Sequence, residues 1–424
     1  MTPRQSIRRF PAPTVTAFNV SAGIVLAGFN QEAAPSGYLL RPLLACLALS
    51  VVIGAVSLVA GRYAVVASAA VALVVMKADL VGVLIAAIAV TAVQVARITR
   101  SSWVFARPVL YGSAVFLLSG VAFAVPNISF SGSEAQSIAA ESSPPIYLVL
   151  LDGYPRNDTL VELGIDNTSF VEALSQRGFD HYPDAQSNYS WTHLTITELL
   201  GGSQDLENEL GSPFERRQLQ ESWRLPDGFV TISSPVAHTK IPNAPDIGPG
   251  GINDFEVRLL GRSAFSPFVG DLIMSDLRRR LDRSLSILSS TTHRRVFAHL
   301  FAPHLPLLYE EDGSPRQVPT CWPVCVMFNL LPEGVGMTTQ EWVAGLRTNL
   351  GLLNSRLLEA VDAILAHSPD AVIVLFSDHG ARYSLDDADE WYRTFLAART
   401  PGHPKLFADE PSPAVILERV LESY

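Results

Sequence analysis

The chain has 424 residues, of which 48% are hydrophobic and only 17% charged, and its mean hydropathy is positive. That is too apolar for an ordinary soluble protein of this size. The formal net charge of −10 is unevenly spread, with many arginines and few acids in the first 110 residues and an acidic remainder, which argues against nucleic acid as a partner.

The apolar excess lies almost wholly before residue 126. Met1 to Pro11 carries Arg4, Arg8 and Arg9 and no acid. Val15 to Phe29 is apolar but short and includes Asn19, whereas Pro42 to Ala60 is long enough to cross a hydrocarbon layer of roughly 30 Å. Tyr63 to Met76 and Leu80 to Val95, separated by Lys77 and Asp79, form two short spans or one hairpin, and Val109 to Val125 is the last candidate. A cleaved signal peptide would explain the first stretch alone, so a transmembrane region of about five helices over residues 1–125 is expected, with three as the other count. Arg97, Arg100 and Arg107 place the loop before the last span in the cytoplasm. Either count makes this an integral protein of the plasma (inner) membrane, its partner the lipid bilayer, with everything after Val125 extracytoplasmic.

Residues 126–145, PNISFSGSEAQSIAAESSPP, are poor in large apolar side chains and form a linker. From Ile146 strands and helices alternate. IYLVLLD is a buried strand ending at Asp152, and Ser169 to Arg177 is amphipathic, with Asn167 or Thr168 as its cap. Ser187 to Gly202 begins as a polar loop and becomes a short apolar helix. Gly228 to Ser233 and Arg295 to Ala302 are strands, the second running into PHLP, and Asp271 to Ile287 is helical. Thr338 to His367 has apolar residues at helical spacing and feeds into the strand Ala371 to Phe376. Thr394 to Ala398 and Ala414 to Val420 close the chain. The fold class is therefore α/β: N-terminal multi-span helices, then over 146–424 a mainly parallel sheet covered by helices on both faces.

That last strand ends in Ser-Asp378-His379-Gly380. Asp152 and Asp378 each terminate a buried strand, which in a parallel sheet brings both carboxylates to one edge, and His379 adds an imidazole. Two carboxylates in a partly desolvated cleft repel each other, and a divalent cation relieves this. The plainer reading makes both aspartates helix caps. Thr192, where the loop becomes a helix, offers a hydroxyl beside backbone N–H groups and a positive dipole end, suited to attack on an anionic ester if a metal lowers its pKa. An ordinary N-cap is the alternative.

The order Asp152, Thr192, His304-x-Pro306 and Asp378-His379-Gly380 resembles the alkaline phosphatase superfamily. More narrowly it is similar to the membrane-anchored sulfatase-like branch that includes lipoteichoic acid synthases and phosphoethanolamine transferases. The resemblance covers about Pro144 to Tyr424 and implies an alkaline-phosphatase-like domain with Asp152, Thr192, Asp378 and His379 at the metal. It implies Thr192 as nucleophile, with Thr195 and Ser190 as fallbacks, and His304 as the residue that meets the substrate anion or assists the leaving group. His299 would pack or support, and Asn188 and Arg156 would bind oxyanion oxygens.

The departures narrow the activity. The sulfatase motif, a Cys or Ser followed by proline and arginine, is replaced by Thr192-His-Leu-Thr195-Ile, so phosphoester chemistry is favoured over sulfate ester hydrolysis. Gly153 stands where a second aspartate would, and no Asp-x-x-x-His pair is evident, which points to one divalent ion. Mn²⁺, Zn²⁺ or Mg²⁺ suits a histidine-containing shell better than Ca²⁺. An envelope glycan or lipid-linked phosphoester is the expected substrate, against a hydrolase of soluble sulfuric or phosphoric esters and a non-catalytic domain that binds envelope polymer. Cys321 and Cys325 can form a disulfide if exported. His403 and the run Arg278 to Arg280 receive surface roles.

Overall fold

The structure, a computed structural model, describes residues 11–31, 36–57, 64–76, 143–201, 219–236, 239–318, 337–382 and 388–424, with positions 109, 113, 114 and 322. The chain divides into two compact units: residues 1–130 with 255–270, and residues 131–254 with 271–424.

The first unit contains α1 (Pro11–Gln31), α2 (Leu40–Ser57) and α3 (Ala64–Met76). Ala12–Phe29 and Leu40–Ser57 are each 18 residues long and apolar enough to cross a membrane. The 13 residues of α3 rise only about 20 Å at 1.5 Å per residue, short of the bilayer core. Ala17, Val20, Ile24, Ile53, Ala69 and Ala72 pack the three helices together, while α2 leaves Leu44, Leu47, Val52 and Val56 exposed. The candidate spans Leu80 to Val95 and most of Val109 to Val125 lie outside the described residues, as do most of the linker and the pair Cys321 and Cys325.

The second unit is mixed α/β. Its sheet contains β1 (Ile146–Leu151), β2 (Asp180–His181), β3 (Phe229–Ile232), β4 (Arg295–Leu300), β5 (Val372–Phe376) and β6 (Leu396–Arg399), in the order β2-β6-β5-β1-β4-β3. Strands β3, β4, β1 and β5 run parallel; β6 is antiparallel to β5, and β2 to β6. Its helices are α4 (Asn157–Glu162), α5 (Thr168–Gln176), α6 (Thr192–Leu199), most of α8 (Ser266–Ser290), α9 (Thr339–His367) and α10 (Ile416–Ser423), while α7 (Asp254–Gly261), but for its first residue, and the start of α8 belong to the first unit.

The parallel strands are runs of Val, Ile, Leu and Phe because both their faces are buried. Ile146, Leu148 and Leu150 join Val372, Val374 and Phe376 in one core with Ile196, Leu199, Ile416 and Val420 of α6 and α10. The alternate set, Tyr147, Val149 and Leu151, is equally buried, so the opposite face is covered too. The 29-residue α9 starts from a capping box in which Thr338 and Glu341 satisfy each other's backbone N–H, and it buries the apolar stripe Trp342, Leu346, Leu350, Leu353, Leu357 and Val361.

The helix start at α5 differs from the sequence expectation. Asn167 occupies the cap position but makes no capping bond there. Its amide instead donates to the Tyr154 hydroxyl (3.1 Å), and Asp166 accepts from the Thr168 N–H (2.9 Å).

Candidate metal centre and active site

Strand β1 is the switch point of the sheet, with β4 and β3 on one side and β5 and β6 on the other. In open parallel sheets the crevice at the carboxyl end of such a strand is where ligands bind. Asp152 follows β1 directly, Asp378 and His379 follow β5, and His299 lies in β4 opposite Leu150. All four side chains are buried.

Their polar atoms converge. His379 Nε2 stands 3.5 Å from Asp152 Oδ1 and 3.5 Å from Asp378 Oδ2. None of these three atoms has a hydrogen-bond partner among the described residues, and each is closed off from solvent. Leaving three such atoms bare costs about 1–3 kcal/mol each, more where they are charged. The other atoms of the same groups are satisfied: Asp378 Oδ1 accepts the Gly153 N–H (3.0 Å), Asp152 Oδ2 accepts from His299 Nε2 (3.1 Å), and His379 Nδ1 donates to the Gly380 carbonyl (2.8 Å). That last bond fixes the tautomer and turns the lone pair of Nε2 toward the carboxylates. Two bare carboxylate oxygens held from behind, each beside one imidazole nitrogen, are donors of the kind a divalent cation takes.

His304 approaches the same point from the loop after β4. Asp152, His304 and His379 each offer one donor atom within 4.8 Å of the others. His304 Nδ1 donates to the Leu305 carbonyl (2.6 Å), so in the neutral ring Nε2 carries the lone pair. Burial pushes the Asp152 carboxyl up, but the charge of His304, the hydrogen bond from His299 and the nearness of the His379 ring outweigh it and hold the group well below the usual carboxylate range. The sequence left His299 to pack or support. It does the latter, bridging Asp152 to the Thr239 hydroxyl (3.2 Å).

Two glycines allow the close approach. Gly153 has φ 68°, and a Cβ there would lie 3.1 Å from the His379 ring. At Gly380 a Cβ would stand 2.0 Å from the Glu390 carbonyl oxygen and 2.6 Å from that of Arg393, both backbone atoms. Gly380→Ala is therefore expected to destabilise the fold by about 1–3 kcal/mol and to weaken metal uptake with it. Thermal melting and metal titration of the full-length variant check this.

The hydroxyl candidates separate. Helix α6 begins at Thr192 itself, after Trp191, and no side chain caps it, so Thr192 is half-buried in the first turn rather than acting as the cap. Thr195 is fully buried, and its hydroxyl donates to the Asp378 carbonyl (3.0 Å) beside Ser187 (3.1 Å), a bond that ties α6 to the metal-side loop. Ser190 is buried next to Trp191.

The two expected oxyanion binders are engaged elsewhere. Arg156 makes paired hydrogen bonds to Asp158 (2.8 and 2.6 Å) and a third to the Ala185 carbonyl. Asn188 donates to Glu198 Oε1 (2.6 Å). His403 stacks edge-on against Tyr424, 5.0 Å between centroids. Of the Arg278 to Arg280 run, Arg280 is buried and donates to the Ser233 and Ser234 carbonyls, and Arg278 donates to the Arg316 carbonyl, so those two are structural rather than a solvated face.

One arginine of the site was not foreseen. Arg382, four residues after Asp378, lies with its guanidinium carbon 4.7 Å from the centre of the Trp191 ring. It lines a cleft together with Gly153, Pro155, His304, Trp342 and His379. Its position in sequence, two residues after Asp-His-Gly, was the available signal.

No family model matches the chain, and no curated protein matches it. Solved structures do. A chain of Bacteroides thetaiotaomicron from a locus for glycosaminoglycan metabolism is 16% identical, with a TM-score of 0.41, covering 66% of this chain and 72% of that one. The C-terminal periplasmic domain of EptC from Escherichia coli, in complex with zinc, is 14% identical, with a TM-score of 0.40 over 66% of this chain and 83% of that one. The soluble domain of lipooligosaccharide phosphoethanolamine transferase A from Neisseria meningitidis is 11% identical, with a TM-score of 0.39 over 68% and 89%. A putative sulfatase from Bacteroides fragilis, 12% identical with a TM-score of 0.37 over 68% of this chain and 75% of that one, is also among the similar structures.

Proposed function

We propose that the chain is a membrane-anchored, metal-dependent phosphoryl-transfer enzyme of sulfatase-like type, acting outside the cytoplasm on an envelope glycan or lipid-linked phosphoester. The observation that carries it is the meeting of three bare, buried atoms, Asp152 Oδ1, Asp378 Oδ2 and His379 Nε2, at the carboxyl edge of the sheet. Those residues, with Thr192, would hold one divalent ion, Zn²⁺, Mn²⁺ or Mg²⁺, which when bound would lower the pKa of a hydroxyl and offset charge on the phosphoryl oxygens.

Thr192 is the nucleophile. Its oxygen forms a bond to phosphorus as the bond from phosphorus to the leaving oxygen breaks, and the hydroxyl proton passes to a water molecule. His304, facing the same point, donates a proton to that leaving oxygen or steadies the anion. The phosphothreonine is then discharged to water or to an acceptor hydroxyl. The apolar helices α1 and α2 support membrane anchoring, and the basic loop at Arg97, Arg100 and Arg107 supports an inner-membrane protein with this unit exported.

The full-length protein in detergent, assayed on an aryl phosphate and an aryl sulfate with each metal in turn, tests the reading. Metal-dependent turnover of the phosphate in clear excess over the sulfate is expected. Preference for the sulfate, or turnover that survives chelation, overturns it.

A further inference from the structure

Arg382 has no part in the mechanism above, yet its setting is that of a working side chain. Its Nε, Nη1 and Nη2 are all shut off from solvent, and none has a hydrogen-bond partner among the described residues. Burial pushes the guanidinium down to about 10, with the charges of Asp378 and Asp152 opposing, so it stays cationic at neutral pH. A buried cation with five unmet donors is costly, and proteins keep one where something else completes it.

The charges around it show what is missing. Among the described residues, Asp152 and Asp378 are the acids whose charges act on Arg382. Once a divalent ion engages both carboxylates, their two negative charges are neutralised and the guanidinium is left as net positive charge in a desolvated cleft. A tetrahedral oxyanion satisfies it, because a guanidinium presents paired N–H groups that match two oxygens of such a group. The surroundings set its aim. The guanidinium of Arg382 lies over the ring of Trp191, the residue before Thr192, and the cleft it lines also contains His304 and His379.

We infer that Arg382 is an oxyanion-binding residue of this cleft, gripping two oxygens of a phosphoryl group at the metal centre, with the Trp191 ring against its guanidinium to hold it in place. The inference rests on the proposed phosphoryl transfer for the identity of the group bound. The role that sequence proximity suggested for Arg156 thus falls to Arg382.

The test is equilibrium binding of inorganic phosphate, by calorimetry, to the zinc-loaded full-length protein in detergent, with inorganic sulfate as the second arm. Arg382→Met is expected to weaken phosphate at least about tenfold, the loss of one charge-assisted pair, while zinc stoichiometry and affinity stay at wild-type values. Arg382→Lys keeps the charge and loses the fork, and is expected to fall between the two. Phosphate affinity of Arg382→Met within about twofold of wild type overturns the inference, as does a parallel loss of zinc, which would make Arg382 a counter-ion of the carboxylates. If the methionine variant does not fold, the lysine variant decides: unchanged phosphate affinity overturns the inference, and a clear loss supports it. Sulfate binding that depends on Arg382 as strongly as phosphate binding keeps the oxyanion site but removes its phosphoryl selectivity, overturning that part. Should the wild type bind phosphate through Arg382 yet turn over no aryl phosphate, the functional proposal fails and the binding residue stands.

Discussion

Asp378→Asn is expected to abolish metal uptake while leaving the fold in place. Asparagine has the outline of aspartate, and its Oδ1 can still accept the Gly153 N–H now bonded at 3.0 Å. What changes is the atom at Oδ2, which has no partner and stands 3.5 Å from His379 Nε2. An amide nitrogen there turns N–H groups toward the position a cation would take and removes one of two anionic charges. Metal affinity is expected to fall by more than roughly a hundredfold, beyond the 10–100-fold typical of losing an outer-shell partner. The effect is visible without any assay of turnover. A ligand at a hundred times its dissociation constant adds about 2.7 kcal/mol to the stability of the state that binds it, so wild-type melting should rise on adding Zn²⁺ or Mn²⁺ and fall with a chelator, and the variant should do neither. In the metal-free protein the sign reverses. Two buried carboxylates facing one imidazole repel each other, so metal-free Asp378→Asn should melt no lower than metal-free wild type. A variant that binds metal as wild type does would remove the centre from the proposal.

The parts of this site visible in the sequence are those fixed by strand ends. Asp152, Asp378 and His379 follow short runs of β-branched and large apolar residues, and a parallel sheet leaves such runs only one edge at which to present what comes next. Residues assigned by nearness along the chain fared differently. Arg156 is two residues from Asp158 and pairs with it, and Asn188 reaches Glu198 one helix away. Local partners capture long polar side chains, and sequence distance to a loop does not say which way the side chain turns. The edge of the sheet was hidden for another reason. Strand β2 has two residues, Asp180 and His181, too short for any alternation, and it exists because β6 presents Ala397 and Ala398 to it. The role of His299 was legible only as support, because its register opposite Leu150, which brings Nε2 to Asp152, is a property of pairing between strands.

Thr192→Ala is expected to lower turnover of an aryl phosphate at least about a thousandfold, in the range seen when an enzyme's nucleophile is removed, and to abolish any phosphothreonine detectable by mass spectrometry after incubation with envelope lipids. Three hydroxyls compete for the role, and the structure distinguishes two of them. Thr195 is fully buried, with its hydrogen committed to the Asp378 carbonyl and Ser187 at its other side. To attack, it would have to break a buried bond and leave a carbonyl oxygen unpaired. Thr192 sits in the first turn of α6, half-buried, where backbone N–H groups lack helical acceptors and the helix dipole favours an anion. Thr195→Ala should therefore cost stability, about 1 kcal/mol for the lost hydrogen bond, and keep the adduct, whereas Thr192→Ala should melt near wild type and lose it. Metal titration of both variants separates chemistry from assembly, since the carboxylates and imidazole are untouched in each. An adduct that survives Thr192→Ala and disappears in Thr195→Ala would move the nucleophile one helical turn along, and Asp378 would then be held by the same hydroxyl that reacts.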